Sequence, residues 1–156
     1  MNCKIAELNI DFNGNILDLG CGTGAFAEKF LNQNSKITGI DISQNMLNIA
    51  NKKQCYHKLL KADITDFLAK NTFAYDYVVA LDVFEYIPDI KNIVSYCKNA
   101  TMVFNIEKAP DNVADYMLSF SGRHQHNPEY VKEILKNAGY TNIKTLGSMT
   151  KTLNGV

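Results

Sequence analysis

Charge of one sign is missing from this sequence: sixteen lysines and arginines are matched by sixteen aspartates and glutamates. Proteins that hold nucleic acid by neutralising phosphates carry a basic surplus, so a nucleic-acid partner is not expected. The one basic cluster, Lys52, Lys53, Lys58 and Lys61, reads as a solvated face. Long apolar runs are missing too. The longest span about five residues, as at 77–81, where a membrane helix needs about twenty, so no membrane partner is expected. The opening MNCKIAELNI lacks the basic-then-apolar order of a secretion signal. C-x-x-C pairs are absent: Cys3, Cys21, Cys55 and Cys97 lie far apart, which argues against a zinc site and against a disulfide framework. No metal is expected, and reduced thiols suit a cytoplasmic protein. Repeats and low-complexity tracts are also lacking.

What remains is an ordinary globular composition, 46% hydrophobic and 21% charged, in 156 residues. One domain, residues 1–156, is the expectation, with a single sizeable core. Short apolar runs at 15–19, 36–40, 56–60, 77–81 and 101–105 have the length and flanks of strands buried on both faces. Helical spacing fills the gaps. Phe26, Ala27, Phe30 and Leu31 share a face. Ser43 is placed to cap a helix carrying Met46, Leu47 and Ala50. Pro88 and Asp89 are placed to open a helix through Ile93 and Cys97, and Gly139 to follow one carrying Tyr130, Ile134 and Leu135. This alternation predicts an α/β fold: a Rossmann-like, doubly wound, mostly parallel sheet with right-handed crossovers and helices on both faces.

Asp18, Asp41, Asp63 and Asp82 fall at the ends of four successive strand candidates, spaced 23, 22 and 19 residues apart. In a doubly wound sheet those ends share one edge, where ligands bind. The rival reading is helix capping. It suits Asp63, ahead of a helix near Thr65, and suits Asp18 poorly, because three glycines follow it.

Those glycines stand in ILDLGCGTG, residues 16–24, as Gly20, Gly22 and Gly24. A glycine loop between strand and helix admits close approach of backbone to ligand. Gly20, Gly22 and Ala25 also satisfy the dinucleotide pattern G-x-G-x-x-G/A, with Asp41 near the distance for a ribose contact, so a nicotinamide cofactor is a rival. Asp18 argues against it, since a carboxylate there repels a pyrophosphate and favours a cation.

From about Asn15 onward the chain resembles the class I S-adenosylmethionine-dependent methyltransferases. The matching motifs are D-x-G-x-G-x-G at Asp18–Gly24, the acid Asp41 in ITGIDIS, KADI at Lys61–Ile64, and YDYVVALDVFEYI at Tyr75–Ile87. The resemblance implies S-adenosylmethionine as cofactor and S-adenosylhomocysteine as product. It places Asp18 and the backbone of Gly20, Cys21, Gly22, Thr23 and Gly24 against the methionine part. Asp41 would accept both ribose hydroxyls, Ile42 and Met46 would flank the adenine, and Ala62, Asp63 and Ile64 would meet its amino edge. Leu81 and Asp82 would pass near the methionine amino group.

Three departures stand against this pattern. Only fourteen residues precede Asn15, so the N-terminal cover is short or lacking. No glycine turn precedes the fifth strand. After a sixth strand at 142–146, the remaining GSMTKTLNGV is too short and polar for a seventh. Either this is a shortened form of a longer chain, or a second subunit completes the sheet edge, which makes a homodimer an expectation.

On the acceptor side, SGRHQHNPEY at 121–130 follows the fifth strand. A similar G-R-(aromatic)-x-H-x-x-x-Y pattern marks some small methyltransferases of this class. Arg123 suits an acceptor carboxylate or phosphate and His126 suits a general base, against the structural reading of His126 as a cap for the next helix. Asp82, with a catalytic role, and Glu85 and Tyr86 would line the same side. The N/D-P-P-Y/F motif of DNA adenine methyltransferases is replaced here by LDVFEY. A small-molecule acceptor is therefore expected, with a protein side chain second. Two other functions stay open: a cofactor-binding but catalytically degenerate subunit, and an NAD-dependent oxidoreductase.

Overall fold

The computed structural model describes residues 7–71 and 74–147. Five strands form one sheet: β1 (Gly14–Leu19), β2 (Ser35–Asp41), β3 (Lys58–Lys61), β4 (Tyr77–Ala80) and β5 (Thr101–Phe104). Their order is β3-β2-β1-β4-β5 and every pairing is parallel. The expected doubly wound α/β architecture is therefore present. Strand order reverses at β1, which puts the crevice between the carboxyl ends of β1 and β4.

Continuous apolar strands are stable here because both faces are covered. Side chains alternate across β1. Ile16 packs with Phe12, Phe26 and Ala27 on the face of α1 (Ala25–Phe30). Leu17 and Leu19 pack on the opposite face with Leu68, Ile93, Val94, Val131 and Ile134. Those come from α3 (Ile64–Lys70), α4 (Lys91–Tyr96) and α5 (Pro128–Asn137). Each fully buried aliphatic chain contributes roughly 1.5–3 kcal/mol. The helix α2 (Gln44–Lys52) buries Leu47 and Ala50.

Caps set the helix boundaries. The Ser43 hydroxyl accepts from Met46 N–H, as its position predicts, and Asn127 accepts from Glu129 N–H at 2.8 Å with Pro128 behind it. Gly139, at φ +99°, ends α5, and Tyr140 N–H closes back on the Leu135 carbonyl at 3.0 Å.

Several boundaries differ from the sequence pattern. The third strand starts at Lys58, because Tyr56 turns its ring into the interior (below). The fourth helix starts at Lys91, with Asp89 Oδ1 accepting from Lys91 N–H at 2.9 Å. Residues 142–146 are irregular, not a sixth strand, although Ile143 still packs against the core. A short antiparallel hairpin of β6 (Tyr116–Leu118) and β7 (His124–His126) instead follows β5. It is too short and polar to show in the period of the sequence. Residues 148–156 and Cys3 lie outside the described residues. Among the described residues no helix is long and apolar enough to cross a membrane.

Candidate active site

All five strands point their carboxyl ends to one edge, so Asp18, Asp41, Asp63 and Asp82 arrive there from four separate segments. The loop between β1 and α1 forms the centre. Gly22 takes φ +52°, and a side chain added there would meet only the Gly20 carbonyl oxygen, 4.0 Å away. The outer side of the loop is thus bare backbone. Gly22 N–H donates to Asp41 Oδ2 at 2.9 Å, and Ser43 N–H donates to Asp41 Oδ1 at 2.8 Å. Asp41 therefore ties the loop to the end of β2, and each oxygen keeps a lone pair free for a further donor. Beside it Ile42 is 69% and Met46 42% exposed. Two apolar chains left uncovered next to a carboxylate and an open glycine suit a ligand with a flat apolar part and vicinal hydroxyls. Cys21 is buried, its N–H donating to the Ile40 carbonyl at 2.9 Å, and Thr23 is half-buried.

Asp18 stands at the base of the same loop. Its side chain is on the α1 face of β1 and only 2% exposed, beneath the loop rather than on its open side. Its Oδ2 accepts from the Tyr56 hydroxyl at 2.6 Å. Burial, offset in part by that bond and reinforced by the Asp41 charge, pushes its carboxyl up to about 7.

At the end of β3, Asp63 Oδ1 accepts from Asp66 N–H at 3.0 Å, so the capping reading holds, with the second oxygen not used by the cap. Ala62 N–H is spent on the Asp41 carbonyl, at 3.1 Å. Ile64 opens α3 and packs partly into the core, as Leu81 does after β4.

On the acceptor side, Asp82 sits at φ +56° and is held by Asn105 through two 2.7 Å bonds. Glu85 and Tyr86 lie on the 3-10 turn Phe84–Tyr86, with Tyr86 63% exposed. Glu85 pairs with Arg123 at 3.4 Å. Burial raises the Glu85 carboxyl above its ordinary value, Arg123 opposes that, and the Asp82 and Glu107 charges add to it. Arg123 is thus brought to Glu85.

His126, expected as a candidate base or as a helix cap, sits in the interior. The ring is wholly buried, and its Nε2 lies 3.1 Å from both the Ile87 and the Pro88 carbonyl oxygens. Donating there fixes the proton on Nε2 and leaves the basic lone pair on Nδ1, an atom that is buried with no partner among the described residues. Burial also lowers its pKa. In this geometry the ring offers no exposed nitrogen to an acceptor. It pins the hairpin to the turn that carries Glu85. Nor does it cap α5, since Asn127 does.

Two contributors were invisible in the sequence. Asn105 stands 23 residues from Asp82 and Tyr56 stands 38 from Asp18, and no local period links either pair. A shallow groove of about 250 Å³ along α2, lined by Gln44, Asn48, Leu59 and Lys61, contains none of the loop residues.

An open parallel sheet, a bare glycine loop and an acid at the end of β2 define a cofactor-binding Rossmann-like protein. Residues 17–102 match the family described as "Methyltransferase domain", and the chain belongs to that family. It is similar to the ubiquinone biosynthesis O-methyltransferase of Vibrio campbellii, 28% identical over 101 residues, covering 62% of this chain and 43% of the relative. The same-named protein of Vibrio cholerae is 24% identical, over 94% of this chain and 68% of its own length. Against the first of these the chain spans less than half of the relative's length. Its fold matches a solved S-adenosylmethionine-dependent methyltransferase from Listeria monocytogenes with a TM-score of 0.70 at 20% identity, over 87% of this chain and 78% of the other.

Proposed function

We propose that this protein transfers a methyl group from S-adenosylmethionine to a small-molecule acceptor. The observation that carries the reading is the bare Gly22 backbone locked to Asp41, beside exposed Ile42 and Met46 and above a buried acid. That set fits a cofactor with ribose hydroxyls, an adenine plane and positive charge. It fits a pyrophosphate less well, because the Asp18 carboxyl lies beneath the loop. When bound, the cofactor supplies a methyl group activated by the sulfonium.

The chain's own residues then do the following. Asp41 accepts from the ribose hydroxyls, with Gly22 and Ser43 holding its orientation. Ile42 and Met46 cover the adenine, and Asp63 and Ile64 meet its edge. Asp82, Glu85, Tyr86 and Arg123 line the acceptor side and align it for in-line attack. In this reading Asp82 takes the acceptor's proton where one must leave. The name of the Vibrio relatives, an O-methyltransferase of ubiquinone biosynthesis, supports a small hydroxylated acceptor, and the chain's balanced charge agrees. A protein side chain is the second choice. A cytoplasmic location and a homodimer belong to this reading. For the dimer, the support is that among the described residues β5 is an edge strand, paired only with β4.

Titration calorimetry with S-adenosylmethionine, S-adenosylhomocysteine and NAD tests it. Binding of the first two and not of NAD is expected, and absence of binding by both sulfur compounds overturns it. Release of S-adenosylhomocysteine from a panel of small phenols and alcohols then identifies the acceptor.

A further inference from the structure

Tyr56 lies outside β3 yet reaches the centre of the molecule. Its ring occupies a slot made by two glycines. A side chain on Gly24 would come within 2.9 Å of the ring, and one on Gly39 within 2.7 Å. Gly24 sits at φ +81° and would favour glycine anyway. Gly39 has no such reason: it is ordinary strand backbone in β2, and its bareness makes room for Tyr56, the Cys21 sulfur and Leu59. Gly39 is also the register partner of Asp18 in the β1–β2 ladder. A ring laid over Gly39 therefore delivers its hydroxyl to the neighbouring Asp18 carboxyl, at 2.6 Å.

We propose that Tyr56 is a positioning residue for cofactor binding, which holds the Asp18 carboxylate beneath the glycine loop and stabilises its charged form when a cationic ligand sits above. The proposal rests on the methyl-donor reading above. Three groups face Asp18: Tyr56 at the entry to β3, Cys21 in the loop and Asp41 at the end of β2. Burial, with the Asp18 charge next, raises the Tyr56 hydroxyl, so it stays a proton donor. Burial and the two carboxylates push the Cys21 thiol up to about 12, so it stays neutral. The Asp18 carboxyl is itself pushed up to about 7. Its ionisation is opposed by burial and by Asp41, and favoured by the Tyr56 bond. A ligand with positive charge over the loop offsets the first two costs. Binding therefore releases a proton from Asp18 when the pH is near or below 7, and affinity rises as pH rises through that range.

The test is calorimetric titration with S-adenosylmethionine from pH 5.5 to 9, on the wild type, on Tyr56→Phe and on Gly39→Ala. Tyr56→Phe keeps the ring in its slot and removes the hydroxyl. Its affinity at pH 7 should fall about tenfold, the size of one charge-assisted hydrogen bond, and its affinity profile should move to higher pH. Gly39→Ala, which displaces the ring, should reproduce both changes. S-adenosylhomocysteine, without the sulfonium, should show a weaker pH dependence. Wild-type affinity and an unshifted profile in folded Tyr56→Phe would overturn the proposal. If the wild type binds neither compound, the methyl-donor reading fails instead. In that case the Asp18 carboxyl is titrated by NMR in the ligand-free protein. Its midpoint should rise in Tyr56→Phe, and an unchanged midpoint rejects the role of Tyr56.

Discussion

Asn105 and Asp82 clasp one another across the carboxyl ends of β5 and β4. The Asn105 amide donates to Asp82 Oδ1, and its carbonyl oxygen accepts from Asp82 N–H, both at 2.7 Å. The pair holds Asp82 in the left-handed region at φ +56°, where few residues other than glycine settle. Asn105→Ala should cost about 1–2 kcal/mol of stability by loss of the two bonds, measured in urea. It should also lower turnover, because Asp82 loses its orientation. Asp82→Asn should keep the fold and lose rate. If both variants turn over like wild type, Asp82 has no part in the chemistry.

Asp41 is predicted to govern the cofactor. Asp41→Ala removes a charged acceptor from each ribose hydroxyl and frees the glycine loop. Losing one charged partner costs about 1.5–3 kcal/mol, so affinity for S-adenosylmethionine should fall at least tenfold. Unchanged affinity in a folded variant would dismiss the assigned pocket.

His126→Ala separates base from pin. A base would cost roughly a hundredfold in rate or more. A buried pin leaves two carbonyls without a donor and a cavity behind, so we expect a loss of about 2–4 kcal/mol, with turnover per folded molecule within a few-fold of wild type. Because the folded pKa of His126 is lowered, its contribution is present above the unfolded value of 6.5 and is lost as pH falls through the folded value. The variant should therefore be less sensitive to acid than the wild type.

Asp18 has the opposite sign. Its folded pKa is raised from 3.8 to about 7, so its contribution is present below 3.8 and is lost as pH rises through about 7. Asp18→Asn, which stays neutral and can still accept from Tyr56, should match the wild type near pH 4. It should become the more stable of the two as pH rises to 7, by up to about 4 kcal/mol, and the difference should then level off. Thermal melts in the absence of cofactor across pH 4 to 9 check this. A difference constant with pH would mean that Asp18 is already ionised at low pH.

Much of the fold was legible in the sequence because its signals are local. Five apolar runs and the intervening helical periods give the sheet, and Ser43 and Gly139 mark helix ends, Ser43 through a bond three residues on. The spacing of four aspartates against strand ends gives the edge that carries the site, since parallel strands must open together. The glycine loop and Asp41 were equally plain. None of that period reaches the β6–β7 hairpin, whose three-residue strands leave no pattern, or residues 142–146, which look strand-like but stay irregular.

Tertiary structure alone decided where each candidate side chain points and what it bonds. Asp18 and Asp41 are both acids after a strand, yet one points down into the α1 face and the other up into the crevice, because side chains alternate along β1 and because Asp41 ends its strand. His126 has the residue type of a base, and only the fold shows its ring wholly inside, with Nε2 against the Ile87 and Pro88 carbonyls. Tyr56 and Asn105 have no local mark, since their partners are 38 and 23 residues away. Hydrogen bonds between residues so far apart in sequence depend on the packing of whole strands, and the order of residues along the chain does not encode them in any short window.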